Sequence, residues 1–175
     1  MVILPAMNII LETKRLLLRT FTEEDAKYIY DLNINPEVTR YTHDPVRDPE
    51  HAKEILIKTI LPQYVLYNHG RWAVHLKENF AFIGWCGLKY RAEEEEVDLG
   101  YRFKQEYWGR GFATEAAIAC INYGFETLNI RRIVGRTEPE NIASCLVLEK
   151  CGMRYMGEAE VDGYPVKTYE IYNPA

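Results

Sequence analysis

The sequence lacks any apolar run close to the ~20 residues that a transmembrane helix needs. Residues 1–8 are apolar, but they have no basic leader and are too short for the core of a signal peptide. We therefore predict a short leader outside the fold, with Met7 as an alternative natural start. No association with a membrane is expected.

Cysteine pairs and metal-ligand patterns are also missing. The sequence has four cysteines without a CxxC pair and four histidines without metal-ligand spacing: Cys86, Cys120, Cys145 and Cys151, and His43, His51, His69 and His75. We predict reduced structural thiols, histidines with structural or surface roles, no metal, and a cytoplasmic protein. Basic charge is scarce as well, because the formal net charge is -5, which argues against nucleic acid as a partner.

The length of 175 residues suits a single domain with a sizeable core, residues 1–175 including the leader. The apolar pattern predicts an α/β (α+β) fold in which a mixed, mostly antiparallel sheet carries helices on both faces. The predicted order is β-α-α-β-β-β-α-β-α-β-β. A strand begins at Leu16, one helix is capped at Thr22, and a second begins at Asp48 and ends at Pro62. Strands are expected at 72–76, 82–88, 97–103 and 132–137, helices at 113–128 and 141–151, and a closing hairpin at 155–172.

The stretch 105–114 carries the strongest chemical signal. It places small residues at Gly109, Gly111 and Ala113 between a strand and a long helix. Such a turn lets a ligand approach the backbone and presents free N–H groups at the positive end of a helix dipole. It therefore predicts a phosphate or pyrophosphate site, the alternative being a turn without a ligand. The GK[ST] pattern of a P-loop is absent, and Thr114 replaces the third glycine of a dinucleotide fingerprint.

This stretch resembles the CoA-pyrophosphate loop of GNAT acetyltransferases, whose pattern is Gln or Arg, two residues, Gly, one residue, then Gly or Ala. Trp108 stands at the first position instead of Gln or Arg, and Gly111 and Ala113 match the last two. The string from 107 to 116 resembles the RimJ/RimL-like branch, which acetylates N-terminal amino groups of ribosomal proteins. Residues 11–19 and 141–153 are similar to the opening strand and the Asn-x-x-Ser helix of that branch.

The resemblance implies the residues that bind acetyl-CoA. The family's splayed strand matches 99–103, along which the pantetheine arm would lie and whose N–H groups would stabilise the oxyanion. The implied acetyl-CoA contacts are Leu99, Gly100, Tyr101 and Phe103 of this strand, Trp108, Gly109, Arg110, Gly111, Phe112, Ala113 and Thr114 of the loop, and Asn141, Ser144, Leu148 and Lys150 of the next helix. Asn141 is also a good helix N-cap.

Two side chains are implied to act in the reaction. Ser144 would contact the thiolate leaving group, the alternative being a serine that bonds back to its own helix turn. Glu160 would act as a base through water, with Glu158 as a rival and a solvated hairpin carboxylate as the alternative. Leu148 stands where many GNAT enzymes carry an acid tyrosine.

The implied activity is direct transfer of an acetyl group from acetyl-CoA to an amine. An α-amino group, with a pKa of about 7.7–8.0, needs less help from a base than a lysine with a pKa of about 10.4. An N-terminal acceptor on a ribosomal protein is therefore expected. A small amine (a polyamine, an amino acid or an antibiotic) and a CoA-binding sensor without catalysis are the alternatives, and a homodimer stays open.

Overall fold

The computed structural model describes residues 8–175, which form an eight-stranded sheet with helices on both faces. The strands are β1 Ile9–Glu12, β2 Leu16–Arg19, β3 Arg71–Leu76, β4 Phe82–Arg91, β5 Glu96–Phe103, β6 Arg132–Thr137, β7 Arg154–Val161 and β8 Tyr164–Tyr172. Their order in the sheet is β1-β2-β3-β4-β5-β6-β8-β7, and only β5 and β6 pair in parallel. The predicted fold class is confirmed.

The helices cover the two faces unequally. They are α1 Ala26–Asn33, α2 Pro36–Thr39, α3 Pro49–Ile55, α4 Leu61–Tyr67, α5 Phe112–Glu126 and α6 Ile142–Lys150. On one face, α5 and α6 bury a large cluster that includes Leu88, Leu99 and Ile133. On the other face, α1, α3 and α4 cover a smaller cluster around Ile29 and Leu56. Because both faces are covered, the middle strands are apolar along most of their length.

The strand predicted to begin at Leu16 is present as β2, and a further strand, β1, precedes it. The expectation of one opening strand is corrected because β1 and β2 pair antiparallel around a turn at 13–16, where the N–H of Thr13 donates to the carbonyl of Leu16 at 2.9 Å. The predicted leader, residues 1–8, lies outside the described residues except for Asn8, as does the alternative start at Met7. The carbonyl of Asn8 accepts a hydrogen bond from Thr20 at 3.1 Å.

The second predicted helix does not end at Pro62. It begins as expected, with the Asp48 side chain accepting from the N–H of His51 at 2.7 Å and Pro49 in the first turn. A π-helical segment, Leu56–Ile60, then leads directly into α4, which contains Pro62. A proline interrupts the i to i−4 hydrogen bonds of a helix, and the wider π turn just before it accommodates this break.

Within the described part of the chain, no helix is long and apolar enough to cross a bilayer. Cys86, Cys120 and Cys145 are buried free thiols, and Cys151 is half-buried. Burial raises the pKa of the Cys151 thiol to about 12, which keeps it protonated at neutral pH and unreactive.

Candidate active site

The parallel pair β5–β6 separates partway along its length. It pairs at Val97, Asp98 and Leu99, whose partners are Ile133, Val134 and Gly135, and goes no further. On its other side β5 continues to pair with β4 as far as Phe103. The backbone of residues 100–103 thus has a strand partner on one side only. This splay exposes N–H and carbonyl groups that an extended ligand can pair with.

The glycine turn lies at the end of the splayed strand. Gly109 and Gly111 have φ values of +71° and +80°, in the left-handed region that glycine tolerates best. The first hydrogen bond of α5 runs from the N–H of Glu115 to the carbonyl of Gly111 at 3.0 Å. The N–H groups of residues 112–114 therefore have no partner within the helix. A Cβ atom built at Gly109 would meet nothing within 4 Å, so this turn has the open, N–H-lined shape that suits a phosphate.

The turn between β1 and β2 is fastened to the glycine turn. The Glu115 carboxylate accepts from Thr13 Oγ1 at 2.6 Å, from the Arg15 N–H at 2.9 Å and from Arg15 Nε at 2.7 Å. Arg15 Nη1 also donates to the carbonyl of Arg110 at 2.9 Å. Burial would raise the pKa of Glu115, but these donors and the Arg15 charge hold it below its usual value. The carboxylate therefore stays ionised and keeps the turn in place.

The exposed side chains of the glycine turn fold back on the protein. The indole nitrogen of Trp108 donates to the carbonyl of Phe103 at 2.8 Å, which fixes the turn to the end of β5. The Arg110 guanidinium lies 5.6 Å from the ring centre of Tyr107 and 5.5 Å from that of Phe112. Arg110 is exposed beside the free N–H groups and can add positive charge there.

Two hydroxyl groups meet where α6 crosses the splayed strand. Tyr101 Oη lies 2.8 Å from Ser144 Oγ and donates to the Ser144 carbonyl at 3.1 Å. Burial raises the pKa of Tyr101, so its phenol is protonated at neutral pH. The Asn141 side chain accepts from the N–H of Ser144 at 3.2 Å and so caps α6. Tyr101 was predicted as a residue of the splayed strand, and no local pattern indicates the contact of its hydroxyl with Ser144.

The opposite face of β5 is polar. Arg71 binds the carboxylate of Asp98 at 2.6 Å and passes over Gly100, where a Cβ atom would lie 2.5 Å from the guanidinium carbon. The Trp85 ring stacks between Arg71 and Arg102, 5.2 and 5.4 Å from their guanidinium carbons. Gly100 was predicted to contact acetyl-CoA because it lies on the splayed strand. The structure shows in addition that a side chain at this position would push against Arg71.

The loop between α2 and α3 crosses the splay. Arg102 Nη2 binds both carboxylate oxygens of Asp44 at 2.9 Å. The neighbouring His43 is hydrogen-bonded through Nε2 to Glu138, which directly follows β6. The His43 ring also stacks on Tyr164 at the start of β8, with ring centres 3.8 Å apart and planes 7° apart. All four histidines were expected to have structural or surface roles, and no local pattern distinguishes His43 from the others.

The remaining predicted site residues differ in burial. Leu148 is 1% exposed and packs against Gly135, so its side chain lies in the core, and its contact with the cofactor stays a prediction. Lys150 is exposed at the last position of α6. Glu158 and Glu160 are exposed on β7, and neither forms an ion pair with any residue from 8 to 175. Three predicted residues are buried, so their backbone alone can face a ligand: Leu99, Phe103 and Phe112.

Comparison with known proteins identifies the family. The family described as Acetyltransferase (GNAT) domain matches residues 15–154. The chain belongs to the GNAT acetyltransferase family. The uncharacterized N-acetyltransferase p20 of Bacillus licheniformis is 34% identical over 149 residues, covering 84% of this chain and 83% of that protein. The spermidine N(1)-acetyltransferase of Escherichia coli K12 is 28% identical and covers 81% of this chain and 74% of that protein.

Solved GNAT structures share the whole fold. An acetyltransferase of the GNAT family from Bacillus anthracis matches with a TM-score of 0.81 at 25% identity, covering 95% of this chain and 99% of that one. The ribosomal-protein-S5-alanine acetyltransferase of Vibrio fischeri gives 0.75 at 23% identity over 94% and 96% of the two chains. The spermidine N-acetyltransferase of Vibrio cholerae, solved with CoA and spermine, gives 0.76 at 22% identity over 92% and 97%.

As a GNAT enzyme, this protein is an acetyl-CoA-dependent N-acetyltransferase. The splay and the glycine turn fit this substrate, since one offers an unpaired strand edge and the other a cradle of free N–H groups. Enzymes named for different acceptors share the fold, so the fold itself does not select the acceptor amine.

Proposed function

We propose that this enzyme acetylates the N-terminal α-amino group of a peptide or protein, as in the RimJ/RimL-like branch. Acetyl-CoA supplies the activated acetyl group as a thioester. The N–H groups of residues 112–114 bind the pyrophosphate, with Arg110 beside them. The free backbone edge of residues 100–103 pairs with the pantetheine arm and provides N–H groups for the oxyanion.

Ser144 and Tyr101 assist the departure of the sulfur. Ser144 Oγ donates a proton to the leaving thiolate, and Tyr101 replaces that proton through the 2.8 Å contact between the two hydroxyls. Burial raises the pKa of Tyr101 and so disfavours its phenolate, which takes a proton from solvent as soon as it forms. Tyr101 thus takes the part that a tyrosine on the helix has in other family members, where this chain has Leu148.

The carboxylates around the splay are paired with other side chains, and this pairing supports an α-amine as the acceptor. Asp44 is neutralised by Arg102 and Asp98 by Arg71, while the Glu138 carboxylate accepts a hydrogen bond from His43. A polyamine carries several positive charges and needs several free carboxylates to offset their desolvation. An α-amine brings a single charge, which it must lose before it can attack. The paired carboxylates therefore favour a peptide N-terminus over a polyamine.

A polyamine is the second candidate acceptor, on a separate observation. Glu158 and Glu160 project from β7 without an ion-pair partner among the described residues, and they could bind a second amine on an elongated substrate. The spermidine acetyltransferase of Escherichia coli is among the relatives of this chain. For an N-terminal acceptor the same carboxylates would instead face basic residues that follow the first position of the peptide.

The two acceptors are separated by measuring CoA release with matched substrates. One arm uses a hexapeptide with a free N-terminal alanine and an internal lysine, and the second uses the same peptide with a blocked N-terminus. The third arm uses spermidine. We expect the free peptide to have the highest kcat/KM and mass spectrometry to locate the acetyl group on its first residue.

Three results would count against the proposal. If spermidine is acetylated and neither peptide is, the acceptor is a polyamine and not an N-terminus. Equal turnover of the free and the blocked peptide would show that the enzyme acetylates the lysine side chain. Tight binding of acetyl-CoA without CoA release in any arm, with aminoglycosides and free amino acids added as further acceptors, would favour a CoA-binding sensor.

A further inference from the structure

We propose that His43, oriented by Glu138, accepts the proton that the acceptor amine loses as it is acetylated. This role rests on the proposed function only in requiring an amine acceptor, whether a peptide or a polyamine. His43 would be the group that touches the amine, and Glu138 a positioning residue that acts through it.

The location of His43 follows from contacts on both sides of the splay. Its neighbour Asp44 binds Arg102 on β5, and His43 itself binds Glu138 just beyond β6. Two consecutive residues thus span the two strands that separate after Leu99. The loop that carries them lies across the opening toward which residues 100–103 present their free backbone.

Contacts also connect this pair to the reacting end of the site. The carbonyl of Glu138 accepts from the N–H of Asn141 at 3.0 Å, and the Asn141 side chain caps the helix turn that carries Ser144. Ser144 Oγ in turn contacts Tyr101. The proposed proton acceptor for the amine and the proposed proton donor for the sulfur therefore lie at opposite ends of one short chain of contacts.

The hydrogen bond to Glu138 determines which nitrogen can act as the base. An ionised carboxylate only accepts hydrogen bonds, so Nε2 carries the hydrogen in this pair and the lone pair is on Nδ1. Nδ1 has no hydrogen-bond partner among residues 8–175. A carboxylate that fixes the tautomer of an imidazole whose second nitrogen is free is the arrangement of a general base and its orienting group.

The ring is held but remains accessible. It stacks almost parallel on Tyr164, and its side chain is 34% exposed. The backbone of His43 has a φ of +55°, in the left-handed region that few residues other than glycine adopt. The contacts of the ring hold the loop in this uncommon conformation, with Nδ1 free to reach a substrate.

Acetyl transfer to a protonated amine releases one proton overall. The protonated acceptor gives one proton to Nδ1 of His43, which passes it to solvent. The freed nitrogen lone pair forms a bond to the acetyl carbonyl carbon, and the carbon–sulfur bond breaks with its electron pair on sulfur. As the amide forms, the second proton of the nitrogen passes to Nδ1 of His43, which is vacant again, and from there to solvent. Sulfur takes up one proton from solvent through Tyr101 and Ser144. The products are the acetylated amine, the CoA thiol and one released proton.

The decisive variant is His43→Gly, because glycine accepts the positive φ and leaves a ring-sized space beside Tyr164. The variant is assayed in parallel with the N-terminal alanine hexapeptide and with spermidine. For whichever acceptor the wild-type enzyme acetylates, we expect kcat to fall about 100-fold or more while the KM for acetyl-CoA stays unchanged. Free imidazole should restore part of the rate in a saturable way. Pyrrole, which can donate to Glu138 but has no basic nitrogen, should not. The control is His51→Ala, a half-buried histidine in the first turn of α3 whose ring accepts from the Arg47 N–H and contacts neither Glu138 nor Tyr164; it should keep the kcat of wild type.

A kcat within threefold of wild type, or equal rescue by pyrrole and imidazole, would overturn the proposal. A second measurement needs no acceptor: long-range ¹H–¹⁵N NMR of His43 should show hydrogen on Nε2 and none on Nδ1, and Glu138→Gln should change this tautomer balance. A spectrum with hydrogen on Nδ1 would also overturn it. If the wild-type enzyme acetylates spermidine and not the peptide, the proposed N-terminal acceptor is wrong. The His43 proposal is then tested by comparing the same variants with spermidine as the acceptor.

Discussion

Replacing Gly111 by valine tests the assignment of the glycine turn. Gly111 has a φ of +80° and directly precedes the free N–H groups of α5. A Cβ atom at this position would lie 3.4 Å from Arg15 Nη2 and otherwise points into open space. The new side chain therefore meets little of the protein itself, and its main effects are backbone strain and intrusion into the space where the pyrophosphate is proposed to lie.

Both effects can be given a size. A left-handed conformation costs an L-residue about 1–2 kcal/mol, which lowers the Tm of a domain of this length by roughly 2–8 °C. A hydrogen bond from an N–H group to a charged phosphate contributes about 1.5–3 kcal/mol. Loss of one such bond weakens binding roughly 10- to 100-fold. The loss of affinity is thus separable from the loss of stability.

Gly163→Val provides the matched control. Gly163 has a φ of +82°, nothing lies within 4 Å of its Cβ position, and it occupies the turn between β7 and β8. Calorimetric titration with acetyl-CoA and thermal unfolding should show similar falls in Tm for both variants and a weaker Kd for Gly111→Val alone. A folded Gly111→Val that keeps the Kd of wild type would refute the assignment of the turn.

Three further predictions concern the reaction and the stability. Ser144→Ala should lower kcat about 100- to 10,000-fold with little change in the KM for acetyl-CoA, and Tyr101→Phe should lower kcat as well. If steady-state assays show an unchanged kcat for Ser144→Ala, the role of Ser144 is structural. Gly100→Ala should shift the Arg71 guanidinium, the flexible end of that side chain, away from Asp98 and cost about 1 kcal/mol, and an unchanged stability in urea unfolding would contradict this. Burial lowers the pKa of His75, which accepts from a buried arginine at 3.1 Å, so the folded protein favours its neutral form. The free energy of unfolding should therefore fall as pH drops below about 6.5 toward that lowered pKa, and a flat profile in urea titrations would speak against it.

Much of the fold follows from local patterns. The meander β3–β5, the long helix α5 and the closing hairpin were predictable because each has an apolar period that matches its own geometry. Two expectations failed where a local signal was ambiguous. The turn at 13–16 separates β1 from β2 within a stretch that resembles one strand, and Pro62 is accommodated by a π turn instead of ending the helix. A proline shows that a helix must be disturbed, but not how the chain accommodates it.

By itself, the sequence determined the family, the glycine turn and the position of Ser144, because each rests on residues close together in the chain. The tertiary structure alone decided what surrounds them. The contact of Tyr101 with Ser144 joins residues 43 apart, that of Asp44 with Arg102 joins residues 58 apart, and that of His43 with Glu138 joins residues 95 apart. Such pairs have no period or spacing, since they exist only where two strands separate and a distant loop crosses the gap. A Cβ atom at Gly100 would meet the guanidinium of Arg71 from β3, a contact that no local pattern indicates either.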